Sequence, residues 1–422
     1  MNHHDRSLPV LLLAGVLTFG AARPVHALGF RNPDQGARAT GEGEAFVARA
    51  DDTSAVYYNP AGLVQLQGTQ GTSGGYLLFP NSHFSGGKGV SAEMNSASFT
   101  PHLYAASDFG LERWRFGFGV NVPFGNVADY GNGGPMRYTA TDSMLSVMNF
   151  TPAVAFSVTD QFSVGVGLNV YYGSTELNRM APLSAMVNPL LPDRRFHFQG
   201  DGTAVGATVG ALWHITDQHS IGAVYRSPFT IDFNGAAVVR KDPTGLFGSS
   251  NASAEINFPQ SVSGGYAFKP NKKWRFEADI EWTNWDTLNN VRLRSHNPYF
   301  DAANNPTSVI PFNWKDSFFY EAGMEYVIND TWAVRGGYIY SENSVPDKSF
   351  SGSIPDSNRH IFSIGLGFTS HRFQADLAYQ YTLMENRTVS GSPDNNFDGR
   401  GDADGRWSGD GHALMLTSTL KF

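Results

Sequence analysis

Apolar and polar residues alternate with a period of two from about residue 70 to the last residue of this 422-residue chain. In one segment Trp114, Phe116, Phe118, Val120, Val122 and Phe124 interleave with Arg115, Gly117, Gly119, Asn121 and Pro123. In another, Phe162, Val164, Val166, Leu168 and Val170 interleave with Ser163, Gly165, Gly167 and Asn169. The stretches 274–282 and 373–381 repeat the pattern, with Arg, Glu, Asp and Gln prominent on the second face. Successive side chains of a strand point to opposite faces, so each segment presents one apolar face and one polar or small face.

A soluble sandwich would alternate too, and the connections argue against it. Short turns near 107–113, 159–161, 216–219, 270–273, 329–331 and 370–372 alternate with longer polar loops. Those loops lie near 82–92, 126–143, 179–200, 240–253, 294–311, 345–358 and 389–409. Short turns at one end and long loops at the other are the pattern of an outer-membrane barrel, as is aromatic crowding near strand ends. The last strand places His412, Leu414, Leu416, Ser418, Leu420 and Phe422 on one face. Strand centres fall near Tyr76, Phe99, Phe118, Ala153, Gly167, Val209, Val224, Gly264, Asp279, Gly323, Gly337, Gly365, Ala378 and Leu416. The prediction is an all-β, 14-stranded antiparallel transmembrane β-barrel. Such a wall encloses more space than its own side chains fill, so the lumen holds water or a plug.

Residues 28–66 supply the plug. They are rich in Gly and Ala, carry scattered charge and end in the rigid turn Asn59-Pro60-Ala61-Gly62, so they do not read as a strand. Ahead of them, Arg6, the apolar run 8–22 and Val25-His26-Ala27 read as a secretory leader with its cleavage site. The expected organisation is a signal peptide over 1–27, a partly helical hatch over 28–68 and the barrel over 69–422.

Composition sharpens this. With no Cys, stability must come from size and sheet closure. After the leader, 28 basic residues face 37 acidic ones, a net of −9 that argues against a nucleic-acid partner. The expected surroundings are outer-membrane lipid in a Gram-negative cell, and the expected state is a monomer.

Several motifs then resemble one family, the FadL/TodX-type (OMPP1) outer-membrane transporters of long-chain fatty acids and aromatic hydrocarbons. They are Gly29-Phe30, Gly41-Glu42-Gly43-Glu44-Ala45-Phe46, Ala50-Asp51-Asp52-Thr53-Ser54 and Tyr58-Asn59-Pro60-Ala61-Gly62-Leu63. Pro123-Phe124-Gly125, Trp282-Thr283-Asn284-Trp285, Asn313-Trp314-Lys315-Asp316, Arg335-Gly336-Gly337-Tyr338 and Ile354-Pro355-Asp356 follow in the family's order. The resemblance implies passive uptake of a hydrophobic molecule. Capture at the extracellular loops leads to a pocket near the hatch N-terminus, and exit is sideways where the third strand is kinked.

That places three groups of candidate residues. Phe30, beside the mature N-terminus, is expected to touch substrate. Asn59, Pro60, Ala61 and Gly62 are the candidate hatch turn. Asn121, Pro123 and Gly125 are the candidate lateral kink, since Pro123 lacks the N–H that a ladder needs. In the loop at 179–200, Met180, Leu183, Met186, Val187, Leu190 and Leu191 recur at three- and four-residue spacing, which predicts one apolar face of a short helix. That face suits first contact with a lipid, and Met adapts to varied shapes. Arg115, Arg275, Arg335 and Arg372 fall on polar faces. The family's use of basic wall residues for a carboxylate makes Arg335 a substrate candidate, although pairing with Glu277, Asp279, Glu321, Glu325 or Asp376 is the stronger expectation.

Catalytic and metal chemistry find little support. Gly71-Thr72-Ser73-Gly74-Gly75 has the G-x-S-x-G spacing but begins a barrel strand instead of a strand-to-helix turn. The twelve His are scattered without ligand spacing. The acidic stretch 394–410, with Asp398, Asp402 and Asp404, is the best metal candidate, but an EF-hand register starting at Arg400 puts Gly411 where a ligand is needed, so a solvated loop is the stronger expectation. No enzyme activity, metal or cofactor is expected. A general porin, and less so an outer-membrane lipid hydrolase, remain the alternatives.

Overall fold

Strands with one lipid-compatible face and one small or polar face can close into a barrel without an exposed edge. The computed structural model describes residues 29–301, 303–304 and 308–422, so the leader expected over 1–27 lies outside the described residues. Nineteen strand segments form one antiparallel sheet. Five strands are interrupted, so the wall has fourteen.

In chain order these are β1 (Thr69–Ser85), β2 (Ser91–Asn95 and Ser98–Ser107), β3 (Trp114–Asp129), β4 (Asp142–Ser157) and β5 (Phe162–Ala181). Then come β6 (Arg194–His214), β7 (His219–Arg226 and Phe229–Val239), β8 (Ser250–Phe258 and Ser261–Phe268) and β9 (Trp274–Thr283 and Asn290–Ser295). The wall finishes with β10 (Val309–Pro311 and Ser317–Val327), β11 (Trp332–Ser341), β12 (Arg359–Ser370), β13 (Phe373–Val389) and β14 (Gly405–Lys421). Each strand centre read from the sequence falls inside the strand of the same rank. β1 closes the cylinder by pairing with β14 from Gln70↔Lys421 to Ser85↔Arg406.

The outward faces are apolar and exposed, for example Phe162, Val164, Val166, Leu168, Val170 and Tyr172 of β5. Trp114, Trp213, Trp274 and Trp332 ring the short-turn end. Tyrosines such as Tyr320, Tyr338 and Tyr340 stand nearer the loop end, giving the two girdles of a membrane barrel. Strand ladders run further into the loops than the sequence suggested. β3 and β4 stay paired to Asp129↔Asp142, and β5 and β6 to Ala181↔Arg194. Cross-strand polar contacts outside the bilayer extend these ladders, among them Asn178 to Asp142 at 2.8 Å and Arg195 to Asn178 at 3.2 Å.

Residues 29–66 lie within the cylinder. Two short helices, α1 (Ala37–Gly41) and α2 (Ala55–Tyr58), and a 3₁₀ turn over Pro60–Gln65 fill the lumen. Their backbone sits directly on inward-facing glycines of the wall. A Cβ at Gly165 of β5 would strike the Pro60 carbonyl, and one at Gly222 of β7 would strike Val47. Gly323 of β10 and Gly337 of β11 likewise abut Glu42 and Gly43. The small face of the strands is thus a docking surface for the hatch.

Candidate functional site: a cavity over the hatch and a break beside it

Above the hatch, on the long-loop side, lies a cavity with about 1380 Å³ of empty space when the open solvent at its mouth is included. Its walls are mainly apolar: Leu145, Leu177, Phe196, Phe198, Ile256 and Leu293 are among them. Its floor is aromatic. Phe30 of the hatch, only 2% exposed, meets Trp285 at 5.0 Å, Trp314 at 5.2 Å and Phe258 at 5.5 Å between ring centres. Phe124, Phe229 and Tyr171 extend the cluster, with Tyr171 stacked on Phe229 at 3.7 Å. Gly29 must be glycine here, because its φ is +61° and a Cβ would strike Trp314. Part of the roof is the loop after β13. Asn395 lines the cavity and donates its backbone N–H (3.0 Å) and Nδ2 (2.8 Å) to Asp402. Burial raises the Asp402 carboxyl to about 6.

The wall is broken next to the floor. β2 and β3 pair only from Leu103↔Val120 to Ser107↔Phe116. Beyond Val120, β3 gives up β2 and carries a bulge against β4 between Asn121 and Phe124. Residues 121–128 are buried at every position, so alternation of exposure ends where the strand turns into the lumen. Its free edge is taken by the hatch. Gly125 donates to the Phe30 carbonyl at 2.7 Å, and Asn32 N–H donates to the Pro123 carbonyl at 2.7 Å. The Asn32 and Gln35 side chains both donate to the Val122 carbonyl.

Below the floor the lumen is ionic. Arg31 pairs with Glu281 of β9 and lies over the Phe319 ring. Asp279 accepts the backbone N–H groups of Phe46 (2.8 Å) and Val47 (2.9 Å), and Glu277 accepts that of Ala48 at 2.6 Å. Arg49 bridges Glu42 at 2.6 Å and Glu325 at 2.8 Å. Charges in so dry a space must be paired, and these pairs fasten the hatch to the wall.

This architecture has counterparts. The sequence pattern of the outer membrane protein transport proteins (OMPP1/FadL/TodX) matches residues 19–422. The chain belongs to this family. Among its relatives, the long-chain fatty acid transport protein of Salmonella typhi is 24% identical over 380 residues, covering 82% of this chain and 83% of the relative. A FadL homologue of Pseudomonas aeruginosa has the same fold, with a TM-score of 0.82 at 19% identity, covering 93% of this chain and 100% of that one. The toluene transporter TodX of P. putida superposes with a TM-score of 0.72 at 18% identity, covering 92% and 98%. This OMPP1/FadL/TodX member is accordingly an outer-membrane transport protein, and its long loops face outward.

The structure brings some sequence candidates to the cavity and places others elsewhere. Phe30 is in the floor. Asn121, Pro123 and Gly125 all lie on the segment of β3 that parts from β2 while staying beside β4. Asn59 ties the hatch turn together: its Oδ1 accepts from Ala61 N, and its Nδ2 donates to the Val47 and Ala211 carbonyls. Pro60, Ala61 and Gly62 are buried there, away from the cavity lining. The helix predicted across the 179–200 loop shrinks to Leu183–Met186, because Pro182 and Pro189 bracket it and Met180 already belongs to β5. Met180 and Met186 line a smaller adjoining cleft with Phe247 and Phe300. Leu183 is fully buried, while Val187 is exposed and Leu190 is 89% exposed. Arg335 lies outside the cavity lining, bonded to Glu325 at 2.8 Å and Asp376 at 2.7 Å. Arg275 pairs with Asp51, and Arg115 donates to backbone carbonyls including Leu66. Sequence reasoning missed Arg179, which lines both spaces and stands over Phe196 at 5.5 Å. It also gave no role to the Trp285/Trp314 pair, although both lie in motifs it singled out.

Proposed function

We propose that the protein carries long-chain fatty acids or similar hydrophobic molecules passively across the outer membrane and releases them sideways through the wall. The single observation that supports this most is the shared hydrogen bond between Phe30 and Gly125, which joins the cavity floor to the broken edge of β3. Entry begins at the cleft of Met180 and Met186. The apolar part then occupies the cavity above Phe30, where Arg179 is the basic group positioned to meet a carboxylate. On the other side of Asn126 a second, smaller space is lined by Met94 of β2, beside the break. Asn126 lines both spaces and donates to the Ser353 carbonyl at 2.8 Å, so this contact separates them. Movement of the 29–32 segment or of Asn126 opens the lateral route, which spares an apolar molecule a watery pore. The ionic lattice around the hatch favours this route over a straight passage to the periplasm.

The test is uptake of a radiolabelled long-chain fatty acid by cells lacking the protein, with and without complementation. Complementation should restore uptake. Liposomes loaded with the pure protein and swelling freely in small sugars, with no restored uptake, would instead identify a porin. Ester hydrolysis by the pure protein would point to the enzyme alternative.

A further inference from the structure

Three tryptophans are among the deeply buried residues: Trp285, Trp314 and Trp407. Trp407 donates its indole N–H to the Ala403 carbonyl at 2.9 Å. The half-buried Trp282 donates to Asp316 at 3.1 Å. Trp285 and Trp314, fully buried and 3% exposed, have no hydrogen-bond acceptor for their N–H groups among the described residues. Buried indole N–H groups normally find an acceptor, so two orphans in contact call for an explanation.

The fold holds these rings in place. Asp316 accepts from Asn284 Nδ2 at 3.0 Å and from the Asp286 N–H at 3.2 Å, clipping the two tryptophan-bearing segments together. Asn313 adopts a left-handed φ of +45°, and its N–H and that of Phe312 both donate to the Asn289 carbonyl. The two indoles meet at 5.0 Å and 70°, edge to face, with Phe30 against both. Ring faces accept such N–H groups only weakly. Trp314 lines the cavity and Trp285 lies behind it; both ring nitrogens are covered in this structure, so a ligand oxygen meets them only as the rings shift aside.

We infer that the Trp314/Trp285 pair is an oxygen-recognition point at the cavity floor, where an otherwise apolar ligand places an uncharged acceptor such as a carbonyl or ether oxygen. A carboxylate is the wrong partner for this point. The nearby cations Arg31 and Arg359 are already paired with Glu281 and Asp356, and a bare carboxylate buried without a cation is costly. The inference rests on the cavity being the substrate cavity and adds a chemical class to it: hydrophobic molecules carrying one neutral oxygen.

The test uses two probes of one shape, acetophenone with C=O and α-methylstyrene with C=CH₂. Binding to the pure, detergent-solubilised protein is read by equilibrium dialysis, corrected for partition into detergent. The protein should prefer acetophenone by about tenfold, the worth of one good hydrogen bond. The double variant Trp285→Phe/Trp314→Phe keeps the ring edges and removes both donors. It should lose that preference, read as the ratio of the two affinities, whatever the change in affinity for α-methylstyrene itself. No preference in the original protein, or an undiminished one in the variant, overturns the inference and leaves the cavity reading intact. Failure of both probes to bind the original protein overturns the two together. Should the variant fail to fold, ¹⁵N-indole NMR of the original protein decides: acetophenone must shift at least one buried indole N–H that α-methylstyrene leaves in place, and equal shifts refute the assignment.

Discussion

β3 and β5 begin as the same sequence pattern and end as different structures. Both alternate large apolar residues with glycine and polar residues over their first half. β5 keeps strict alternation of exposure from Phe162 to Gly173 and pairs with β6 without a slip from Phe162↔Trp213 to Ala181↔Arg194. β3 does so only through Val120, then bulges, loses β2 and is buried on both faces. Alternation therefore decides which way side chains point, while membership of the wall depends on what the two backbone edges find. β5 finds β4 and β6. β3 finds β4 and a piece of hatch.

If the hatch is what holds β3 away from β2, loosening the hatch should have the largest consequence. Arg31 sits in the segment that pairs with β3, and its guanidinium is bound by Glu281. Arg31→Met should cost about 3 kcal/mol of hatch docking, because it leaves a buried carboxylate with the more distant Arg226 as its cation and only the Ser263 and Thr283 hydroxyls as close donors. The readout is limited proteolysis within residues 29–66 of the folded barrel, which should become fast. Unchanged protection would show that the backbone bonds to β3 suffice.

The same comparison can be attacked from β5. Gly165 points into the lumen beneath Pro60, so Gly165→Leu should unseat the Asn59–Gly62 turn by about 1–3 kcal/mol of overpacking. Heat-modifiable migration on gels should still report a closed barrel, while the hatch becomes protease-sensitive. Gly125→Leu tests the other strand. The added side chain crowds the junction with Phe30, and uptake should fall by on the order of tenfold, about 1.4 kcal/mol, with the barrel intact. Normal uptake in this variant would sink the lateral route.

The contrast also marks what could be read from the sequence. The strand centres and turn lengths were legible because period-two alternation is local. The departure of β3 was visible only as Pro123 and Gly125, and a proline near a strand end has the bland reading of a terminator. That the small face of β5 and its neighbours is a seat for backbone was not legible, since glycine there looks the same whether it faces water or a hatch. The predicted loop helix is shorter than expected, Leu183–Met186, because three- and four-residue spacing ignored Pro182 and Pro189. Arg179 and the Trp285/Trp314 floor went unseen for another reason: the breaks that fold residues 284–289 and 312–316 inward are set by partners far along the chain.

The smallest expected effect belongs to Pro123 itself, and it separates two causes of the kink. Pro123 brings no N–H, yet its carbonyl is engaged by Asn32 and the neighbouring Gly125 N–H by Phe30. Pro123→Ala restores a donor and relaxes the backbone, but β2 offers no partner at this level while the hatch remains in place. If the hatch sets the path of β3, this variant should change stability by less than about 1 kcal/mol and leave uptake within about twofold of the original. If proline alone sets it, β3 would re-pair with β2, the gap would close and uptake would collapse as in Gly125→Leu. Measuring the two variants side by side in the uptake assay therefore assigns the break in the wall either to the residue within the strand or to the segment that lies against it.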